Sequence, residues 1–169
     1  MNYQTKSYLG LGKTLYHSSV CHVNKSLNGL DVELLLTERL TKKKADGRWP
    51  HNALEEIKKK LQANCLIAEN RDVISSVEYE KVLNLEFPFF EFLEKKELEQ
   101  FSLHYNKNIT ELTHHLCHAY SALAMSPFKE GIIIVMDGAG SELEKNQHEE
   151  YSAYYFKDFV LEKIDQRLQ

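Results

Sequence analysis

The chain is poor in cysteine, has no surplus of positive charge and contains no long apolar run, and each shortage removes a class of function. Its 169 residues carry three cysteines, Cys21, Cys65 and Cys117. They are widely spaced, odd in number and form no Cys-x-x-Cys pair, so neither a disulfide framework nor a zinc ribbon is encoded. With 21 Lys and Arg against 25 Asp and Glu, the net charge is −4. That balance argues against a nucleic-acid partner, because affinity for phosphate backbones needs an excess of cationic side chains. No segment approaches the roughly 18–20 consecutive apolar residues of a membrane span, and Met1 to Lys6 lacks the apolar core of a signal peptide. The expectation is a cytoplasmic protein with no membrane partner. A hydrophobic content of 43% is ordinary for a globular chain, and this length buries one core, which predicts one domain. No internal repeat or low-complexity tract is present.

What is there concentrates between His114 and Gly140. His114 and His118 are four residues apart, which on a helix sets them on one side with their Cβ atoms about 5–6 Å apart, in reach of one ion. Leu112, Leu116, Ala119 and Leu123 form an apolar stripe roughly opposite, and His115 points elsewhere. The rest of that helix is apolar nearly all round, which predicts a helix sandwiched inside a domain. A solvated or half-buried pair is the plain alternative, since the spacing alone is more often unmetallated.

Gly131-Ile132-Ile133-Ile134-Val135-Met136 reads as a strand buried on both faces, with Asp137 at its carboxyl end. Open α/β sheets bind ligands beyond the carboxyl ends of their strands, and Gly138 and Gly140 permit close backbone approach to a phosphate or hydrated ion. Asp137 fits a third ligand or the holder of a bound water. An isolated Asp-Gly is otherwise a turn whose carboxylate satisfies local amides.

Earlier in the chain, Tyr8 to Gly12 is the expected first strand, with Gly10 and Gly12 able to admit a ligand against the backbone. His17 to Asn24 and Leu30 to Glu38 are the next two strands, joined through Asn28-Gly29 into an antiparallel meander. A helix follows from about Pro50, with Leu54, Ile57 and Leu61 on one side and favourable Glu55–Lys59 and Glu56–Lys60 pairs. Asp72 to Tyr79 is expected as a further strand, and Pro88 to Phe101 as an aromatic segment running into a helix. Tyr151 to Phe156 is expected as a strand beside 132–136, followed by a charged amphipathic stretch to Gln169. The basic run Lys42-Lys43-Lys44 with Arg39 and Arg48 is of the kind that usually forms a solvated loop.

Four blocks in order, YLGLGKTLYHSSVCHV at 8–23, TERLTKKKADGRWPHNAL at 37–54, HHLCHAYSALAMSPF at 114–128 and IIIVMDGAG at 132–140, resemble the carbamoyltransferases of the nodulation-factor and antibiotic-tailoring type. The amino-terminal domain of that family is similar to the ATPase-like protein of tRNA threonylcarbamoylation. The resemblance implies an α/β fold of the actin-like ATPase, or ribonuclease-H-like, class: a mixed sheet flanked by helices, here the first half only. It implies His114, His118 and Asp137 as metal ligands for iron, zinc or manganese. Gly10, Gly12, Gly138 and Gly140 would line an ATP or carbamoyl-adenylate site, with Arg39 and Lys43 near an anionic group and His17 as the catalytic residue beside the acceptor hydroxyl.

The same resemblance implies that residues 1–169 are a single amino-terminal lobe, with the second lobe and the carbamoyl-adenylate-forming domain lying outside it. The partners expected are small-molecule substrates, and either self-association or a second chain supplying the missing lobe. A non-catalytic metal- or nucleotide-binding module is the alternative. Two positions depart from the family pattern: Ser18 follows His17 where an aspartate is usual, and Ser141 follows Gly140 where a glutamate is usual.

Overall fold

A computed structural model describes residues 6–13, 17–44, 46, 50–61, 65–70, 109–138 and 140–169. The chain divides into two compact units. One holds the described residues up to Asn70 together with 109–111, and the other holds Leu112 onward.

In the first unit, β1 (Lys6–Lys13), β2 (Ser18–Ser26) and β3 (Gly29–Leu36) form the expected antiparallel meander. Ser26 and Gly29 face each other across the hairpin, and Gly29 takes φ 124°, a conformation that glycine adopts without steric cost. β4 (Leu66–Asn70) then pairs parallel with β1, and β5 (Ile109–Leu112) follows in the order β3-β2-β1-β4-β5. An antiparallel meander extended by a parallel strand next to β1 is the mixed sheet of the ribonuclease-H-like class. β4 had no strand signal strong enough to be anticipated. The strand expected at 72–79 and the aromatic segment at 88–101 lie outside the described residues.

α1 (Thr37–Thr41) and α2 (His51–Lys58) flank this sheet. Alternation along the strands puts Leu9 and Leu11 of β1, Val20 of β2 and Ile67 of β4 on one face, where they bury with Ala53, Leu54 and Ile57 of α2 and with Cys65. Full burial of each such side chain contributes about 1.5–3 kcal/mol. The i, i+4 partners expected on α2, Glu55–Lys59 and Glu56–Lys60, are replaced by others. Lys58 instead meets Glu55 at 3.3 Å, and the Lys60 Nζ donates to both Glu33 carboxylate oxygens on β3, at 2.9 and 2.7 Å.

In the second unit, α3 (His114–Met125) precedes β6 (Glu130–Met136), β7 (Glu142–Glu144), β8 (Gln147–Lys157) and β9 (Val160–Leu168). β8 is the hub: β6, β7 and β9 all pair antiparallel with it. The strand expected at 151–156 is therefore present beside β6 and longer than its aromatic centre indicated. The charged stretch after Asp158 is β9.

Two burial expectations fail in this unit. α3 buries His115, Ala119 and Leu123, while Tyr120, Ser121, Ala122, Ala124 and Met125 are exposed, so it lies on one layer and is not sandwiched. β6 is likewise covered on one face. Val135 is buried with Ala119 and Tyr154, and Ile133 packs against them, whereas Ile132, Ile134 and Met136 are 61%, 59% and 79% exposed. An unbroken β-branched run reports strand propensity, and the covering layer is decided by partners that a run cannot reveal. Among the described residues no helix is long and apolar enough to cross a membrane.

Candidate metal centre

The second unit brings His114, His118 and Asp137 together. The His114 Nε2 lies 2.8 Å from the Asp137 Oδ2 and 3.1 Å from the His118 Nε2, and the third edge, His118 Nε2 to Asp137 Oδ2, is 3.5 Å. Metal–ligand bonds of about 2.0–2.2 Å at tetrahedral or octahedral angles set neighbouring donor atoms roughly 2.8–3.6 Å apart. The observed triangle has nearly those edges.

Protons alone satisfy this triangle poorly. If the His114 Nε2 donates to Asp137, its lone pair is gone and it cannot accept from His118. If it accepts from His118, two unprotonated acceptors, the His114 Nε2 and the Asp137 carboxylate, face each other at 2.8 Å. A cation between the atoms would use all their lone pairs at once, so the donor set fits a metal ion. Two imidazoles and a carboxylate suit iron, zinc and manganese alike.

Chain geometry explains the convergence. Thr113 is the N-cap of α3, its Oγ1 accepting from the Leu116 N–H at 3.3 Å, so the helix starts at His114 and the pair rises one turn apart on one side. Asp137 leaves the end of β6, and the Gly138 N–H donates to its Oδ1 at 2.7 Å, fixing the carboxylate with Oδ2 toward the histidines. The hydrogen bond with His114 holds the Asp137 carboxyl below the ordinary range despite partial burial, with help from the Gly138 amide. The side chains of His114, Asp137 and His118 are 16%, 40% and 53% exposed, which leaves the centre open on one side.

The two glycines of the turn differ. Gly138 is open, with no atom within 4 Å of where a Cβ would stand. Gly140 is closed in: a Cβ there would meet the Glu149 Cβ at 2.5 Å and the His115 Cδ2 and Nε2 at 2.8 Å.

The remaining candidates lie in the first unit. Gly10 and Gly12 are on β1, and a Cβ at Gly10 would find nothing nearer than 3.9 Å, whereas one at Gly12 would meet the Ser19 Oγ at 2.7 Å. The exposed His17 ring has its Nδ1 3.6 Å from the Glu38 Oε2, and the Arg39 Nε is 3.9 Å from the Glu38 Oε1. Lys43 is exposed just beyond α1, its backbone N–H donating to the Thr41 Oγ1. Ser18, one of the departures, is buried beside Thr37 with their hydroxyls in hydrogen-bond contact.

Sequence reasoning missed the layer beneath the metal candidates. Thr113, Ser141 and Glu149 join the start of α3 to the turn after Asp137. Glu149 left no signal, since it sits in the polar run Gln147-His148-Glu149-Glu150, where one buried carboxylate cannot be told from its exposed neighbours.

No protein-family model and no curated protein matches this chain. Among solved structures it is similar to YeaZ from Pseudomonas aeruginosa, at 7% identity and a TM-score of 0.49, covering 96% of this chain and 66% of that one. It is also similar to the Ppx/GppA family member of Aquifex aeolicus, at 14% identity and a TM-score of 0.44, covering 98% of this chain and 51% of that one. The chain thus spans about two thirds of the first and about half of the second. Likenesses this distant say nothing of activity.

Proposed function

We propose that this chain carries the metal-holding part of a carbamoyltransferase-type protein, one that moves a carbamoyl group from carbamoyl-adenylate to an acceptor hydroxyl. The observation that supports the reading most is the triangle of His114, His118 and Asp137 donor atoms, formed where α3 begins and β6 ends. The ordered sequence blocks add the choice of chemistry.

His114 and His118 hold the cation from one side and Asp137 from the other, with Gly138 keeping the carboxylate turned inward. The ion, when bound, supplies Lewis-acid polarisation of a phosphoryl or carbonyl oxygen. In the second unit Gly138, open where a Cβ would stand, is assigned to the nucleotide or carbamoyl-adenylate, whereas Gly140 is closed in by Glu149 and His115 and its N–H donates to the Glu149 carbonyl. In the first unit, taken by itself, the resemblance assigns Gly10 to a nucleotide, Arg39 and Lys43 to an anionic group and His17 to orienting or deprotonating an acceptor hydroxyl, while Gly12 is closed in by the Ser19 hydroxyl. A second reading, a non-catalytic metal- or nucleotide-binding module that pairs with another chain, is favoured by the uncovered apolar faces of β3 and β6.

Element analysis of protein purified without chelators, alongside His114→Ala and His118→Ala, tests the proposal. Near-stoichiometric iron, zinc or manganese lost in both variants supports the centre, and carbamoyl transfer from carbamoyl-adenylate, measured with the missing lobe supplied, then separates the two readings, since the isolated lobe is expected to be inactive. Wild-type protein that holds none of these metals, even after their addition, overturns the first.

A further inference from the structure

The buried carboxylate of Glu149 is used by nothing assigned so far. Its residue is 1% exposed, on β8, and none of the metal candidates touches it directly. Oε2 accepts from the backbone N–H of His115 and from that of Ser141, both at 3.1 Å. Oε1 accepts from the Thr113 hydroxyl at 3.0 Å and from the Gln166 Nε2 at 3.4 Å. The backbone of Glu149 adds to the grip on the turn, accepting from the Gly140 N–H at 2.7 Å and donating to the Ser141 carbonyl at 3.1 Å.

A helix leaves its first N–H groups without intrahelical partners. Here His114 N donates to the Ser141 Oγ at 2.8 Å, His115 N to Glu149 and Leu116 N to the Thr113 Oγ1. The Thr113 hydroxyl that caps the helix donates in turn to Glu149. Ser141, anchored by the same carboxylate, lies four residues beyond Asp137. One side chain therefore ties the start of the helix that carries His114 and His118 to the turn that follows Asp137. A negative charge at a helix N-terminus is also favourable to the helix itself.

We infer that Glu149 is the positioning residue of the metal centre, setting the separation between the histidine pair and Asp137 through Thr113, the His115 amide and Ser141. This rests on the metal reading given above. It also gives Ser141 a use: its hydroxyl is short enough to accept from His114 N while its own amide reaches Glu149, so the carboxylate under the turn comes from β8 and not from the residue after Gly140.

The test is Co²⁺ titration of the full chain and of Glu149→Gln, with the visible Co²⁺ spectrum, thermal unfolding, and the ¹⁵N imidazole resonances of His114 and His118 in metal-free protein. Glutamine keeps the size but presents one acceptor and one donor where two acceptors stood. The expected result is a folded variant with Co²⁺ affinity reduced about 10- to 100-fold, an altered Co²⁺ spectrum and shifted imidazole resonances. Gln166→Ala, which removes only the most distant partner, is expected to leave the Co²⁺ spectrum unchanged.

Wild-type affinity, spectrum and resonances in Glu149→Gln would overturn the inference while leaving the metal reading intact. A wild-type chain that binds no Co²⁺ would overturn both. Should Glu149→Gln fail to fold, Ser141→Ala carries the test, since it removes the acceptor of His114 N and leaves the Glu149 carboxylate in place: weakened Co²⁺ binding supports the inference, and unchanged binding overturns it.

Discussion

The Nε2 atoms of His114 and His118 face each other at 3.1 Å, a separation that suits a shared proton or a shared ion. The Asp137 carboxylate at 2.8 Å from the first makes the ion the better solution. Added Zn²⁺ or Mn²⁺ should therefore raise the unfolding temperature of the chain. Saturation at about 100 times Kd corresponds to about 2.7 kcal/mol. His114→Ala, His118→Ala and Asp137→Asn should each lose most of that gain, and metal-dependent calorimetric scans of the variants check it.

Gly140 and Gly10 should respond oppositely to alanine. At Gly140 the new methyl would stand 2.5 Å from the Glu149 Cβ with the His115 ring 2.8 Å away, both held in place by buried hydrogen bonds. Gly140→Ala is expected to cost about 1–3 kcal/mol, the range for overpacking a closed site. Gly10→Ala has room and should be neutral or stabilising by up to about 1 kcal/mol, as expected where the unfolded chain loses freedom. Urea unfolding of both variants decides this, and a nucleotide titration of Gly10→Ala then asks whether the methyl blocks a ligand.

Local pattern made the meander, α2, α3 and β6 legible, because each carries a periodicity or turn signal of its own: Asn28-Gly29 for the hairpin, Leu54 and Ile57 for α2, the β-branched run for β6. The His114, His118 and Asp137 set was legible for a similar reason, since helix spacing and strand-end position are local properties. Glu149 was not legible, because its burial follows from β8 lying beneath the start of α3. The exposed sides of α3 and β6 were misread because apolar composition fixes which residues favour burial, and not whether a neighbouring layer is there to bury them.

His115 should make the metal-free protein sensitive to mild acid. Burial pushes its imidazole pKa below the ordinary value, outweighing the opposing pull of the Glu149 carboxylate. The unfolded chain then binds a proton near pH 6.5 while the folded chain still resists it, so stability is full above that pH and falls as pH drops through the folded value. Denaturant midpoints measured in chelator between pH 7.5 and 5 should decline more steeply for wild type than for His115→Gln. Parallel curves would show that His115 contributes nothing to the slope.

The turn between β8 and β9 holds a removable strain. Asp158 and Phe159 take φ 47° and 66°, the paired positive values of a type I′ hairpin. Aspartate tolerates this conformation better than phenylalanine, whose Cβ crowds the carbonyl at a cost of about 1 kcal/mol or more. The Phe159 side chain is 76% exposed and gives little back. Phe159→Gly should stabilise the chain by up to about 1 kcal/mol after glycine's extra unfolded-state entropy is subtracted, read as a raised denaturant midpoint with an unchanged slope.

Two sheet faces present apolar side chains to solvent. On β3, Leu30, Val32 and Leu34 are 66%, 58% and 59% exposed, and on β6, Ile132, Ile134 and Met136 are similarly open. Contiguous apolar patches of this kind mark surfaces that another layer covers. The chain should therefore self-associate, its sedimentation coefficient rising with concentration in the tens of micromolar. Because each patch is a row of alternate residues on one strand face, one charge in its middle should disrupt it. Val32→Lys and Ile134→Lys separate the two faces: whichever restores a concentration-independent monomer names the contact, and a wild-type chain that stays strictly monomeric would rule out self-association and leave a second, different chain as the occupant to seek.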